Sequence, residues 1–322
     1  MSSRNLCIER NETFDPMNIR SLRSSLLLLL ASLIWGLAFV AQRVGMDYMP
    51  PFAFNGIRTL MASAALLPVI LFMDRKQPAR RSPSPAEKKN LRTASCLCGL
   101  LLCLSTNLQQ AGLVSTSAGK GGFITALYVV LVPVAGWLFF RRNPGKWIWL
   151  SVLMAVFGLF LLCVPAGERF VVSQGDLLIL GCAIAFAGHI LVVDHFSPLV
   201  DGLRLSCCQF LFCGVASLIL SLLTESFTLS GLWGAMPAML YAGILSGAVG
   251  YTIQILAQRN VNPTLASILM CMESVFSVLG GALLLGETLT RRESLGCAIM
   301  FAAVILAQLS PALALKKRVP AS

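Results

Sequence analysis

Residues 24–41 read SSLLLLLASLIWGLAFVA, without a single charge, and Arg20, Arg23 and Arg43 flank the run. A helix of about 20 such residues spans the hydrocarbon core of a bilayer. A cleaved leader would have an apolar core of about 7–15 residues and a small-residue cleavage site. Here the run is longer, Trp35 and Phe39 make it bulky, and no such site follows. It therefore reads as a first membrane-spanning helix.

The pattern recurs along the chain. Of 322 residues, 57% are hydrophobic and 12% charged, whereas soluble domains carry about 25% charged residues. That excludes a soluble globular enzyme, and the wealth of Leu, Val, Ile and Phe excludes a disordered chain. Ten helices are expected, at 24–41, 51–73, 93–113, 118–140, 147–165, 175–195, 204–223, 236–257, 263–285 and 293–312. Backbone in lipid must satisfy its own hydrogen bonds, so runs of this length are helical. Breakers fall between them: Pro50-Pro51, Pro144-Gly145, Pro165-Ala166-Gly167, Pro198 and Pro263.

The net charge of +11 reads as a topology signal, because the basic residues lie between apolar runs and form no nucleic-acid-binding stripe. Nineteen Lys and Arg fall on the side that holds both termini and four on the other. Basic loops stay in the cytoplasm, which predicts cytoplasmic termini and an even number of spans. The bias weakens after residue 175, as it would if five helices were duplicated and the second copy inserted upside down.

Sliding the chain on itself supports the duplication. At an offset of 151, Trp35 falls on Phe186, Gly36 on Ala187, Phe39 on Ile190 and Arg58 on Gln209. At 144, Gly99 meets Gly243 and Gln110 meets Gln254. At 145, Tyr128-Val129-Val130 meets Glu273-Ser274-Val275, Arg142 meets Glu287 and Ser151 meets Gly296. Inverted repeats enclosing a site near the midplane are a recurrent transporter plan.

Several segments tie this plan to a family. Ile34-Trp35-Gly36-Leu37-Ala38-Phe39-Val40 resembles the first-helix signature of EamA-type transporters of the drug/metabolite transporter superfamily. Asn55-Gly56-Ile57-Arg58, Leu108-Gln109-Gln110-Ala111-Gly112-Leu113 and Thr125-Ala126-Leu127-Tyr128 are similar to later parts of the first family repeat. Gly175-Asp176, Met272-Glu273-Ser274-Val275-Phe276 and Leu285-Gly286-Glu287 are similar to parts of the second. The resemblance implies repeats at 21–165 and 175–312, alternating access, and export or exchange of small metabolites, with amino acids or related compounds foremost. A nucleotide-sugar or drug exporter of the same fold is the alternative. Where the first family repeat often carries Gly-Glu before its fifth helix, this chain has Arg141-Arg142.

Polar residues at membrane depth are the site candidates. A charge at the bilayer centre costs about 2.5–3.5 kcal/mol on insertion scales. Glu273 lies ten residues into the ninth run, roughly 15 Å deep, and reads as a proton or substrate-cation site or as a hydrogen-bonded packing lock. Arg58 either binds an anionic substrate group, pairs with Glu273 or snorkels outward. His189 either relays protons or packs; Trp35 either stacks on substrate or packs. Asn107 and Gln110, with Gln109 beside them, Thr125 and Tyr128, and Tyr251 and Gln254 are expected to form a polar wall. Gly243, Gly247, Gly250 and Gly280-Gly281 are expected to permit close, sliding helix contacts. Lys120 is expected to cap the outer mouth.

Other classes find little support. Ten of eleven Cys sit in apolar runs without CxxC spacing, which predicts no metal and no other cofactor. Ala118-Gly119-Lys120-Gly121 lacks the spacing and Ser/Thr of a P-loop. Val249-Gly250-Tyr251 sits inside an apolar run, where a channel filter would need irregular backbone. No run holds paired carboxylates or a nucleophile turn, so no enzyme is expected. The loop at 74–92 is too short and too charged for a signalling domain. The expected partners are a small-molecule substrate and the bilayer, with no nucleic acid, and the driving force is either protons as coupling ion or the substrate gradient alone. The short tails point to a bacterial inner membrane.

Overall fold

The computed structural model describes residues 19–76, 84–115, 118–141, 143–164, 167, 172–285 and 289–316. Among these, ten stretches are helical, long and apolar enough to cross a membrane. Span 1 is Ile19–Met46, span 2 Pro51–Lys76, span 3 Pro85–Leu113, span 5 Lys146–Cys163, span 6 Gln174–Phe196, span 7 Gly202–Thr224 and span 10 Arg291–Lys316. Arg142 and Glu287 lie outside the described residues, as do the side chains of Arg43 and Lys120.

Local sequence explains the starts. Ser84 precedes Pro85 and accepts the Glu87 N–H at 3.2 Å. Ser173 and Asp176 form a capping box at span 6, which gives Asp176 a structural task. Thr290 and Glu293 exchange the same bonds at span 10. Such caps satisfy amides that have no intrahelical partner.

Three spans depart from the expected continuous helices. Span 4 is two helices, Ala118–Ala126 and Tyr128–Phe140, broken at Leu127. Span 9 is also two, Pro263–Met270 and Glu273–Leu285, broken at Cys271 and Met272. Span 8 runs Leu229–Leu240, then a π-helix Tyr241–Tyr251, then Thr252–Gln258. Broken backbone at membrane depth is tolerated only where protein or a cavity surrounds it. Span 1 supplies that cover for span 9, since the Ser32 hydroxyl lies 2.9 Å from the Leu269 carbonyl.

The helices pair across the two halves of the chain. Span 2 lies along span 7, span 3 along span 6, span 5 along span 10, and span 1 against spans 8 and 9. A Cβ on Gly99 would meet Phe212, and one on Gly243 would meet Met61 and the Arg58 carbonyl. Phe212 and Met61 are 151 residues apart, the offset at which the two halves align, so equivalent glycines serve equivalent crossings. Spans 2 and 7 are tied at both ends. Arg204 donates to both Asp74 oxygens at 2.8 and 2.9 Å. At the other end Glu225 accepts the Phe52 and Ala53 N–H groups at 3.0 and 2.9 Å, where a helix N-terminus favours an anion.

The outer faces carry exposed Leu, Phe and Ile, such as Leu153, Ile219, Leu222 and Ile305, as lipid contact requires. Span 9 is the exception: 72% of its spanning window is buried, against 33–56% for the others. The span that carries Glu273 is thus the most buried of the ten.

Candidate functional site

The two breaks face each other. Tyr128 opens the second half of span 4 and Glu273 opens the second half of span 9. The Tyr128 hydroxyl points to Glu273 Oε1 at 3.4 Å. These residues also share a place in the sequence repeat, so their meeting lies at the junction of the two halves.

Around them is a cavity of about 60 Å³, enough for a few waters. From the first half it is lined by Trp35, Gln42, Arg58, Thr106, Gln109, Thr125 and Tyr128, and from the second by Phe186, His189, Ile190, Ser246, Tyr251, Gln254, Met270 and Glu273.

Aromatic rings form one part of the lining. Trp35 and Tyr251 rings lie 4.8 Å apart with a 55° tilt, and Tyr251 meets His189 edge-on at 6.1 Å. The Trp35 indole donates to the Ser246 carbonyl at 3.1 Å. Ser246 belongs to the π-helix, a form that often marks functional sites. Gly250 admits this contact, because a Cβ there would lie 2.7 Å from the Trp35 indole nitrogen.

Arg58 is 6% exposed and donates from Nε to Asn55 Oδ1 at 3.1 Å. It therefore faces the cavity and does not snorkel. Asn55 is itself held: its amide lies 2.9 Å from Thr106 Oγ1, 3.1 Å from Asn107 Oδ1 and 3.2 Å from Ser217 Oγ. Thr125 accepts from Gln109 at 3.2 Å, and His189 Nε2 lies 3.0 Å from Gln209 Oε1. Gln254 donates to Gln258 at 3.1 Å, while its own carbonyl oxygen has no partner among the described residues.

The expected candidates Trp35, Arg58, Thr125, Tyr128, His189, Tyr251, Gln254 and Glu273 all line this one cavity. Asn107 and Gln110 do not. Asn107 donates to Ser217 at 2.8 Å within the network behind Arg58, and Gln110 is fully buried and, among the described residues, reaches only Gln42, at 3.4 Å. Thr106 and Gln109 share one face of span 3; Asn107 and Gln110 are rotated about 100° from it. Sequence reasoning also passed over Gln42, Phe186, Ser246 and Met270. The repeat offset carried a signal for Phe186, as the partner of Trp35.

The comparisons agree with this architecture. The model of the EamA-like transporter family matches residues 22–164 and again 173–309. A transporter of Archaeoglobus fulgidus is 29% identical over 90% of this chain and 87% of its own. The inner membrane transporter YedA of Escherichia coli is 27% identical over 86% and 88%. A probable amino-acid metabolite efflux pump of Escherichia coli is 25% identical over 87% and 93%. A solved crystal structure shares the fold with a TM-score of 0.75 at 15% identity, covering 92% of this chain and 99% of its own.

Proposed function

Because the chain belongs to the EamA-like transporter family, a family of multi-pass membrane transporters and not of enzymes, we propose that it exports amino acids or related small metabolites. The observation that carries this reading is a small polar and aromatic cavity, lined by both halves, at the place where spans 4 and 9 break. Half-helix ends meeting at the midplane are how transporters of several folds hold a substrate.

The substrate enters from the cytoplasmic side, where the basic loops and both termini lie, in the inner membrane of a bacterium. The repeats, 21–165 and 175–312, rock about the cavity. At about 60 Å³ it has room for a few waters, and movement of the repeats enlarges it and opens it in turn to each side. The similarity to a probable amino-acid metabolite efflux pump supports the substrate class. A sugar nucleotide would need several cations, and Arg58 is the sole cation among the described lining residues. Glu273, aided by Tyr128, carries the coupling proton.

The test is counterflow in proteoliposomes with labelled amino acids, a sugar nucleotide and a cationic dye. Saturable counterflow of at least one amino acid, several-fold above protein-free vesicles, is expected, and Glu273→Gln should abolish its response to an imposed proton gradient. Counterflow of the sugar nucleotide or dye with none of any amino acid would overturn the substrate class.

A further inference from the structure

We infer that Arg58 and Glu273 grip the two ends of one zwitterionic substrate, the guanidinium taking its carboxylate and the carboxylate its ammonium. This rests on the amino-acid reading above and goes beyond it by assigning the polarity in which the substrate lies.

Both residues line the same cavity, yet they form no ion pair with each other, so their nitrogens and oxygens are more than 4 Å apart. Spans 2 and 9 share no sizeable packing interface; span 1 packs on span 9, and span 8 packs on both span 1 and span 2. Among the described residues, each charge has only neutral partners. Arg58 spends Nε on Asn55, which leaves its two terminal nitrogens without a protein acceptor. Glu273 accepts one long bond on Oε1 from Tyr128, which leaves Oε2 without a donor.

An unpaired charge at this depth is costly; Glu273 loses its charge while it carries the proton, and Arg58 keeps its own. A ligand with an anionic and a cationic end satisfies both at once. The open fork of Arg58 suits a planar carboxylate, which it can engage through two parallel bonds. With Glu273 ionised, a ligand with one charge leaves the other residue buried and uncompensated, so that state of the site rejects such analogues from either end. The aromatic residues Trp35, Tyr251 and Phe186 then border the substrate's side chain.

The experiment uses the full chain in proteoliposomes and whichever amino acid gives the strongest counterflow. Its N-acetyl derivative lacks the cation and its amide lacks the anion. With wild-type protein, neither analogue should compete at tenfold excess over the parent amino acid. Glu273→Gln should lose at least tenfold of the discrimination against the N-acetyl derivative and keep that against the amide. Arg58→Gln should show the mirror image. Competition by either analogue within threefold of the parent on wild-type protein overturns the proposal, and so does an identical shift for both analogues in both variants. The wild-type competition stands even if a variant fails to fold. If no amino acid is carried at all, it is the substrate class that falls.

Discussion

Gly36→Ala should reduce counterflow at least tenfold, while Gly136→Ala leaves it unchanged. A Cβ on Gly36 would lie 2.7 Å from the Glu273 carbonyl, 2.7 Å from the Phe276 Cβ and 2.8 Å from the Ser277 nitrogen. None of these is the far end of a flexible side chain, so the helices themselves must part. Overpacking of this kind costs about 1–3 kcal/mol, and here the strain falls on the break that presents Glu273. A Cβ on Gly136 would meet nothing within 4 Å, and alanine there gains up to about 1 kcal/mol of helix propensity. Counterflow rates and the thermal unfolding midpoint in detergent check both variants. A Gly36→Ala protein with normal counterflow would show that the approach of span 1 to span 9 is not needed.

Asn55→Leu should also cost at least tenfold in transport. Leucine nearly fills the same space but removes the acceptor for Arg58 Nε and the donor for Asn107 Oδ1. Each buried polar group left without a partner costs about 1–3 kcal/mol, more when it is charged. The guanidinium then turns to find another acceptor and no longer presents its fork to the cavity. The loss should appear chiefly as weaker apparent affinity for substrate, read from the concentration dependence of counterflow. An unchanged affinity would show that Asn55 does not position Arg58.

Much of this architecture is written plainly in the chain. The ten spans are legible because apolar runs and Pro, Gly and charged breakers alternate, and lipid leaves the backbone few choices. Glu273 and Arg58 stand out because charge is rare at that depth. The inverted plan is legible through weak matches such as Tyr128 with Glu273, a pair the fold brings into contact. The breaks were harder to see. Pro133 carries a partial signal for the one at Leu127, since its ring removes the bond to the Val129 carbonyl. Cys271 and Met272 have no such mark, because the span 9 break rests on tertiary cover, including Ser32 at the Leu269 carbonyl. Nor does local pattern tell which polar face of span 3 meets the cavity. Thr106 with Gln109 and Asn107 with Gln110 have the same spacing, and only the packing of span 3 on spans 6 and 7 separates them. Gln42 was missed because span 1 continues to Met46, past the last residue of its apolar run.

The most direct test of the whole account is the accessibility of Thr125, a buried residue on the cavity wall. With the native cysteines replaced and Thr125→Cys introduced, a membrane-impermeant methanethiosulfonate reagent is applied to one side of the membrane and then, separately, to the other. Two halves that rock about a central cavity predict modification from either side, slowed in both cases by the transported amino acid. Modification from one side alone, or from neither in a protein that still transports, would contradict it.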